Sequence, residues 1–274
     1  MRGWQALLFS VSWHNFNSDI IMKKIGIFLS LLFLSSICQG QDASTYFDAL
    51  GSKLLSSGSY SEALDLFNQS LDLDPHNAAA WIHRGSTLRA LRQHNASIES
   101  INQALKIDAK NAAAWSALDQ TYTARKDFAA ASAAAAKVTE LDPNKKASWL
   151  REGQLLQMQG IFDESIYKLE RALAIDPKYK DALYRKGIYF MAIGQNSQAI
   201  EQFNQILALD PMYKQAYNAR GLAQESEGDF ASALASYERA LVIDPKYAPA
   251  LNNKMHALMA LGKPEDAAEI FLRI

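Results

Sequence analysis

The stretch KQAYNARGLAQESEGDFASALASYERALVIDPKY, residues 214–247, carries a pattern that returns along most of the chain. Its closing Asp-Pro pair has counterparts upstream at a constant spacing of 34 residues. The aspartates of this series are Asp74, Asp108, Asp142, Asp176, Asp210 and Asp244, and a proline follows each of them except Asp108. A fixed period of this length indicates a repeat protein in which each unit is one supersecondary element.

The period divides the chain into six full units and one partial unit. The units are 44–77, 78–111, 112–145, 146–179, 180–213 and 214–247, followed by the partial unit 248–274. Because the register never slips, we expect a single repeat domain over residues 44–274. Positions within a unit are numbered from 1 to 34 below, and the units are called repeats 1 to 7.

Each unit predicts two helices joined by a turn. Position 4 is usually large and position 8 usually small, one helical turn later, while positions 20 and 24 are mostly small and then large. Small residues let two helices approach, and large residues fill the space between them. Five units have glycine at position 15, where a residue that accepts positive φ suits a helix end. The recurring aspartate and proline then read as helix-end and turn residues.

These residues resemble the tetratricopeptide repeat (TPR) family, most clearly in AAAWSAL (residues 112–118) and YKLERALAIDPKY (residues 167–179). The resemblance implies an all-α, right-handed superhelical TPR solenoid of antiparallel helix pairs. It also implies a concave groove lined by the first helix of each pair. The repeat pattern independently requires stacked helix pairs, because one unit cannot bury its apolar face alone.

The resemblance places positions 2, 5, 6, 9, 12 and 13 of the first helices on the groove. In repeats 4 to 6 we therefore predict a peptide-binding groove that includes Arg151, Gln154, Gln157, Met158, Tyr184, Arg185, Ile188, Met191, Asn218, Leu222 and Glu225. A peptide would lay apolar side chains over Tyr184, Ile188 and Met191, while Arg151 and Arg185 pair with a carboxylate. The alternative is that the arginines are solvated and Ile188 fills the space between helices. The lysines and asparagines of the family's carboxylate clamp are missing from the first units, which disfavours a chaperone-tail receptor.

Charge and motif content exclude several other functions. The chain has 28 Lys and Arg against 29 Asp and Glu, so it lacks the excess of positive charge that is typical of nucleic-acid-binding proteins. No nucleophile-elbow, zinc-protease or P-loop pattern occurs, and the histidines lack the spacing of metal ligands. We therefore expect no catalytic residue, no metal site and no cofactor.

The N-terminal residues resemble a secretory signal peptide. Residues 22–40 begin with Met22 and two lysines, continue with the apolar run from Ile25 to Ile37, and end at Gly40. We expect translation to begin at Met22, residues 1–21 to be an upstream extension, and the mature chain to start at Gln41. The alternatives are an uncleaved N-terminal anchor, which is the one membrane contact we expect, and a lipoprotein in which Cys38 is the lipid-accepting residue.

The third unit departs most from the pattern, because DFAAASAAAAKVTE (residues 127–140) has alanines where large residues stand elsewhere. Ala135 occupies position 24. Either the neighbouring helices close up, or a hollow remains near Trp115 and Trp149 that serves as a hinge or holds a ligand. We favour closer packing.

The sequence thus predicts an exported protein, periplasmic, cell-surface or secreted, that acts as a non-catalytic scaffold for protein or peptide partners. A first alternative is a structural or assembly factor that self-associates or uses its C-terminal end, at residues 269–274. A second alternative is a small-ligand-binding protein that uses the alanine-rich hollow.

Overall fold

The computed structural model describes residues 43–271, and this part of the chain consists of fourteen α-helices with no strand. The helices are α1 (Ala43–Ser57), α2 (Tyr60–Leu73), α3 (Ala78–Ala90), α4 (His94–Ile107), α5 (Ala112–Ala124), α6 (Phe128–Leu141), α7 (Lys146–Met158), α8 (Phe162–Ile175), α9 (Lys180–Ala192), α10 (Asn196–Leu209), α11 (Lys214–Ser226), α12 (Phe230–Ile243), α13 (Ala248–Ala260) and α14 (Pro264–Phe271). The predicted all-α solenoid of helix pairs is confirmed. The predictions for residues 1–40 lie outside the described residues.

The recurring aspartates end the second helices, as their spacing predicts. In each of the six turns the aspartate Oδ1 accepts a hydrogen bond from the backbone N–H two residues later, for example Asp210 from Met212 at 3.1 Å. Asn77 and Asn111 then cap the next first helices through their side-chain oxygens. Local hydrogen bonding therefore fixes where each repeat begins.

Close helix packing explains the small residues at position 8. A Cβ added to Gly187 would lie 2.5 Å from Phe203 Cε1, and one added to Gly221 would lie 2.4 Å from Tyr237 Cε1. Both aromatic rings are completely buried. The glycine at position 8 and the large residue at position 24 thus form one packing unit within each helix pair.

The stack curves with its first helices inside. Each second helix contacts the first helices on either side of it, and successive first helices also approach one another at most junctions, whereas successive second helices do not. The inner surface made by α1, α3, α5, α7, α9, α11 and α13 is called the concave face below.

Two different side-chain contacts close the junctions between repeats. In the first three junctions the Trp81, Trp115 and Trp149 indole N–H groups donate to backbone carbonyls of the preceding turn, at 2.8–2.9 Å. The last three junctions use a lysine at position 1 instead. Lys146, Lys180 and Lys214 bind the carboxylates of Asp176, Asp210 and Asp244 at 2.5–2.6 Å and lie over the tyrosine rings at position 34.

The third repeat contains a hollow, so the favoured prediction of closer packing is wrong. Ala135 is buried against Leu155, but a space of 170 Å³ remains beside it, next to Ser116 and Ser148 rather than the two tryptophans. α5 and α7 have fewer close backbone approaches to each other than other successive first helices do. The reason is that Asp119 replaces glycine at position 8, and its polar side chain takes part of the space that a large position-24 residue fills elsewhere.

Candidate functional site

The predicted groove residues lie on α7, α9 and α11, which are successive first helices of the concave face. The structure divides them into two groups. Some are held by contacts within the protein, and others remain open to a partner. The division follows from the side-chain contacts of each residue.

Arg151 is held by a neighbouring repeat. Its Nε donates to Asp119 Oδ2 at 2.8 Å and its Nη2 to Asp119 Oδ1 at 2.7 Å, so the pairing with the carboxylate is bidentate. The same Nη2 donates to Thr123 Oγ1 at 2.7 Å, and Thr123 donates to Asp119. Because only 4% of Asp119 is exposed, this arginine neutralises a buried charge that the groove prediction did not include.

Tyr184, Ile188 and Met191 form the apolar part of α9 and are half-buried against the core of repeats 5 and 6. The Tyr184 ring lies 5.8 Å from that of Phe203 and 6.2 Å from that of Tyr213, between ring centroids. Burial raises the pKa of the Tyr184 hydroxyl, with smaller contributions from Tyr247 and Tyr213. These side chains both support the fold and present part of their surface to the concave face.

Asn218, Leu222 and Glu225 on α11 contact the last repeat or the core. Asn218 is buried, and its Oδ1 accepts a hydrogen bond from Asn253 Nδ2 at 3.0 Å. Leu222 packs beside the cluster that contains Tyr237. Glu225 accepts a hydrogen bond from the Tyr237 hydroxyl at 2.8 Å and pairs with His256.

Gln154, Met158 and Arg185 are the members of the predicted set that remain open. Met158 is 51% exposed at the end of α7, and Gln154 and Arg185 are half-buried. No hydrogen bond or ion pair links the Gln154 or Arg185 side chain to another described residue. Gln157 Nε2 donates to the Arg185 backbone oxygen at 3.1 Å and so holds the end of α7 against α9. The open set therefore consists of an amide and a thioether on α7 and a guanidinium on α9, the next first helix.

Asp119 and Thr123, the partners of Arg151, are not among the site residues that the sequence predicts. A signal was present, because Asp119 occupies a position that is glycine in five other repeats, and Ala135 occupies the matching large position. Two exceptions in the same repeat indicate that its glycine and large residue have been replaced together by a different pair.

Within residues 43–271 the structure brings together no group of three metal-ligating side chains, and none of its helices is both long and apolar enough to cross a membrane.

Family comparisons agree with this architecture. Two models described as Tetratricopeptide repeat match the chain, one over residues 120–180 and 184–248, the other over residues 54–120 and 225–274. Together they cover most of the chain, which therefore belongs to the tetratricopeptide repeat family. No curated protein matches it.

Several solved structures share the fold. The MamA protein is 25% identical, with a TM-score of 0.56, over 62% of this chain and 93% of MamA. A tetratricopeptide repeat protein from Parabacteroides merdae is 17% identical, with a TM-score of 0.69, over 84% of this chain and 91% of that chain. PilW, described as a type IV pilus biogenesis factor, is 20% identical, with a TM-score of 0.64, over 78% of this chain and 99% of PilW.

Proposed function

We propose that the protein is an exported, non-catalytic scaffold that binds an extended segment of a protein or peptide partner on the concave face of repeats 4 to 6. The observation that carries this proposal is the open set of Gln154, Met158 and Arg185 on adjacent first helices, beside the half-buried apolar side chains of α9. Pockets that bind peptides combine apolar contacts with a few polar groups that orient the chain.

Each open side chain has a role that its chemistry supports. Arg185 is free to form a charge-assisted hydrogen bond with a carboxylate of the partner. The Gln154 amide both donates and accepts, which suits the backbone of an extended peptide. Met158 is flexible and polarizable, so it adapts to apolar side chains of different shape. In this proposal Arg151 positions α5 and α7 rather than binding the partner.

Export rests on the sequence of residues 22–40, with its two lysines, apolar run and terminal Gly40. The mature chain in this proposal starts at Gln41. N-terminal sequencing of the protein recovered from the cell envelope tests it. A chain that begins at Gln41 supports export with cleavage, whereas recovery from the cytoplasm with residue 22 at the N-terminus contradicts it.

Partner capture tests the binding surface. The chain from Gln41 to Ile274 is used to capture proteins from envelope extract, alongside an Arg185→Glu, Met158→Asp variant. Because these side chains make no hydrogen bond or ion pair that supports the fold, the variant should keep its helical content and lose the partner. Val242→Asp is the matched control, since Val242 is 72% exposed on the second helix α12.

The outcomes of the capture experiment are distinct. Loss of a partner from the double variant alone supports the concave face of repeats 4 to 6. The same partners on all three chains contradict it. Arg151→Glu is unsuitable here, because it would place a second carboxylate beside Asp119 and disturb the fold as well as the surface.

A second candidate is self-association through the C-terminal end. Met259 is 57% exposed at the end of α13, Leu261 follows it in the turn, and a cleft of 500 Å³ opens between α12, α13 and Ile270. Sedimentation of the wild-type chain and of Met259→Asp tests this candidate. A wild-type dimer that dissociates on substitution favours this candidate, and a monomeric wild-type chain contradicts it.

The small-ligand alternative has weaker support, because the 170 Å³ hollow is smaller than the roughly 300 Å³ at which ligand pockets begin.

A further inference from the structure

A cleft of 590 Å³ lies between repeats 1, 2 and 3, far along the chain from the surface just described. Its lining includes Leu55, Tyr60 and Ala124, which are called its apolar side below, and Arg89, Arg92 and His94, which are called its basic side; Ser86 and Ala90 complete it. None of the described residues that line it is acidic. A neighbouring cleft of 430 Å³ shares Arg92 and His94 and has Arg125 on its other side. The first of these is called the basic cleft below.

The basic side chains of this cleft lack acceptors. Arg89 Nε and His94 Nδ1 are buried from solvent without a hydrogen-bond partner, and the Arg92 side chain makes no hydrogen bond or ion pair with any described residue. A buried donor without an acceptor is unfavourable, because it has lost its hydrogen bonds to water. Such atoms in a native protein call for an explanation, and one explanation is a bound group that supplies the acceptor.

Backbone conformation gives a second, independent observation. Position 15 requires a positive φ, and glycine supplies it in five repeats with φ between +71° and +84°. In repeat 2 Arg92 holds this conformation at φ +60°, although a side chain makes it unfavourable. Residues with strain of this kind cluster at binding and catalytic sites. Lys126 holds the same position in repeat 3 at φ +64° but lines neither cleft.

Part of the cleft lining comes from the first helices that make the concave face. Leu55 and Arg89 stand at position 12 and Ala124 at position 13 of their first helices, and these are groove positions in the TPR resemblance. A partner that follows the concave face toward repeat 1 would therefore reach the cleft. Its basic and apolar sides together suit a carboxylate next to an apolar side chain.

We propose that the basic cleft is a subsite for an acidic peptide segment, in which Arg89 and Arg92 bind a carboxylate and the apolar side takes the adjacent residue. The proposal rests on peptide binding at the concave face and names the chemistry of the partner, namely glutamate or aspartate beside an aliphatic or aromatic residue. His94 lies at the boundary between the two clefts, and its ring nitrogens donate or accept according to the tautomer.

The test uses a fluorescein-labelled peptide of alternating glutamate and leucine and the chain from Gln41 to Ile274. A glutamine-leucine peptide is the uncharged comparison, and fluorescence anisotropy at fixed ionic strength gives Kd. We expect the Kd to rise about tenfold for the glutamine peptide and for Arg92→Gly, since each removes one side of a charge-assisted pair. Arg92→Gly should also raise Tm, so lost binding cannot be ascribed to unfolding.

Lys126→Gly is the matched control, because it removes the same charge and the same backbone strain one repeat away. It should raise Tm as well and leave Kd within about twofold of the wild-type value, since Lys126 lines neither cleft. Equal weakening by Lys126→Gly and Arg92→Gly would mean that net charge alone attracts the peptide, which overturns the proposal. Equal binding of the two peptides, or no binding of either, overturns it too.

Two further measurements distinguish a failure of the basic-cleft proposal from a failure of the proposed surface on repeats 4 to 6, and a peptide ligand from a free anion. The Arg185→Glu, Met158→Asp variant is titrated with the same peptide. If this variant binds the peptide normally while Arg92→Gly does not, the result supports the basic cleft and contradicts the surface on repeats 4 to 6. If Arg92→Gly binds normally while this variant does not, the result contradicts the basic cleft and supports the surface on repeats 4 to 6. Inorganic phosphate is then titrated while the Arg89 Nε–H resonance is followed by NMR. If phosphate binds more tightly than the peptide, the ligand of the cleft is a free oxyanion, and the peptide proposal is overturned.

Discussion

Asp119 on α5 and Arg151 on α7 form a bidentate ion pair across the junction of repeats 3 and 4, at 2.7 and 2.8 Å. The pair stands where other repeats have a glycine packed against a large apolar residue. Ala135 leaves room for the carboxylate, Asp119 fills part of that room, and Arg151 supplies the opposite charge. One repeat therefore replaces an apolar packing unit with a polar one, and the replacement involves three positions together.

The ion pair predicts an asymmetric response to substitution. Arg151→Met leaves a buried carboxylate without its cation, and we expect a loss of about 3 kcal/mol in unfolding free energy. Asp119→Ala leaves an arginine that is one-third exposed and can be hydrated, so we expect a loss of about 1 kcal/mol. Urea unfolding of both variants and of the double variant measures this. A double variant no more stable than Arg151→Met would contradict the explanation.

The tight contacts at position 8 predict different outcomes for two alanine substitutions. In Gly187→Ala the new Cβ would lie 2.5 Å from the Phe203 ring, and overpacking of about 2 kcal/mol outweighs the gain in helix propensity of about 1 kcal/mol. In Gly153→Ala the nearest atom is Leu169 Cδ2 at 3.0 Å, the movable end of an aliphatic side chain. We expect net destabilisation for Gly187→Ala and a change near zero for Gly153→Ala, measured by urea unfolding. Equal losses would show that side-chain clearance does not govern this position.

The positive φ of Lys126 at position 15 predicts that glycine in its place stabilises the fold. Lys126→Gly should raise the unfolding free energy by about 1 kcal/mol, because the αL strain of lysine exceeds the entropy that glycine loses on folding. The reverse change in another repeat, Gly160→Lys, should lower it by a similar amount, since Gly160 has φ +77° and open space around its Cβ position. Thermal unfolding of the two variants checks the sign. A loss of stability in Lys126→Gly would imply that its side chain makes a favourable contact.

The 34-residue period predicted the helix pairs and their turns because each depends on local chemistry. Asp210 shows this well, since its carboxylate binds a backbone N–H only two residues away. The division of the groove into held and open residues could not be predicted in the same way. Whether Arg151 faces a partner or binds Asp119 depends on a residue 32 positions earlier, and on the space that Ala135 leaves. Such contacts require the packing of successive repeats, which the period alone does not specify.

The lysines that close the last three junctions predict a pH dependence. The hydrogen bond from Lys214 is the main cause that lowers the pKa of Asp244, followed by the backbone N–H of Lys246. Lys180 and Lys146 lower the pKa of Asp210 and Asp176 in the same way. Because these pKa values are lower in the folded chain than the unfolded value of about 3.9, the stabilisation is complete above that pH and is lost as pH falls through the folded pKa values.

A pair of lysine substitutions tests this pH dependence at one carboxylate. In Lys214→Met the pKa of Asp244 should rise toward its ordinary value, because the main hydrogen bond is gone. Lys246→Met removes an equal charge close by, but only its backbone N–H donates to Asp244, so the pKa should stay low. NMR titration of the Asp244 carboxyl carbon measures both values. If the two variants gave the same pKa, net charge rather than the hydrogen bond from Lys214 would be its cause, and the acid sensitivity of repeats 4 to 6 would not depend on this contact.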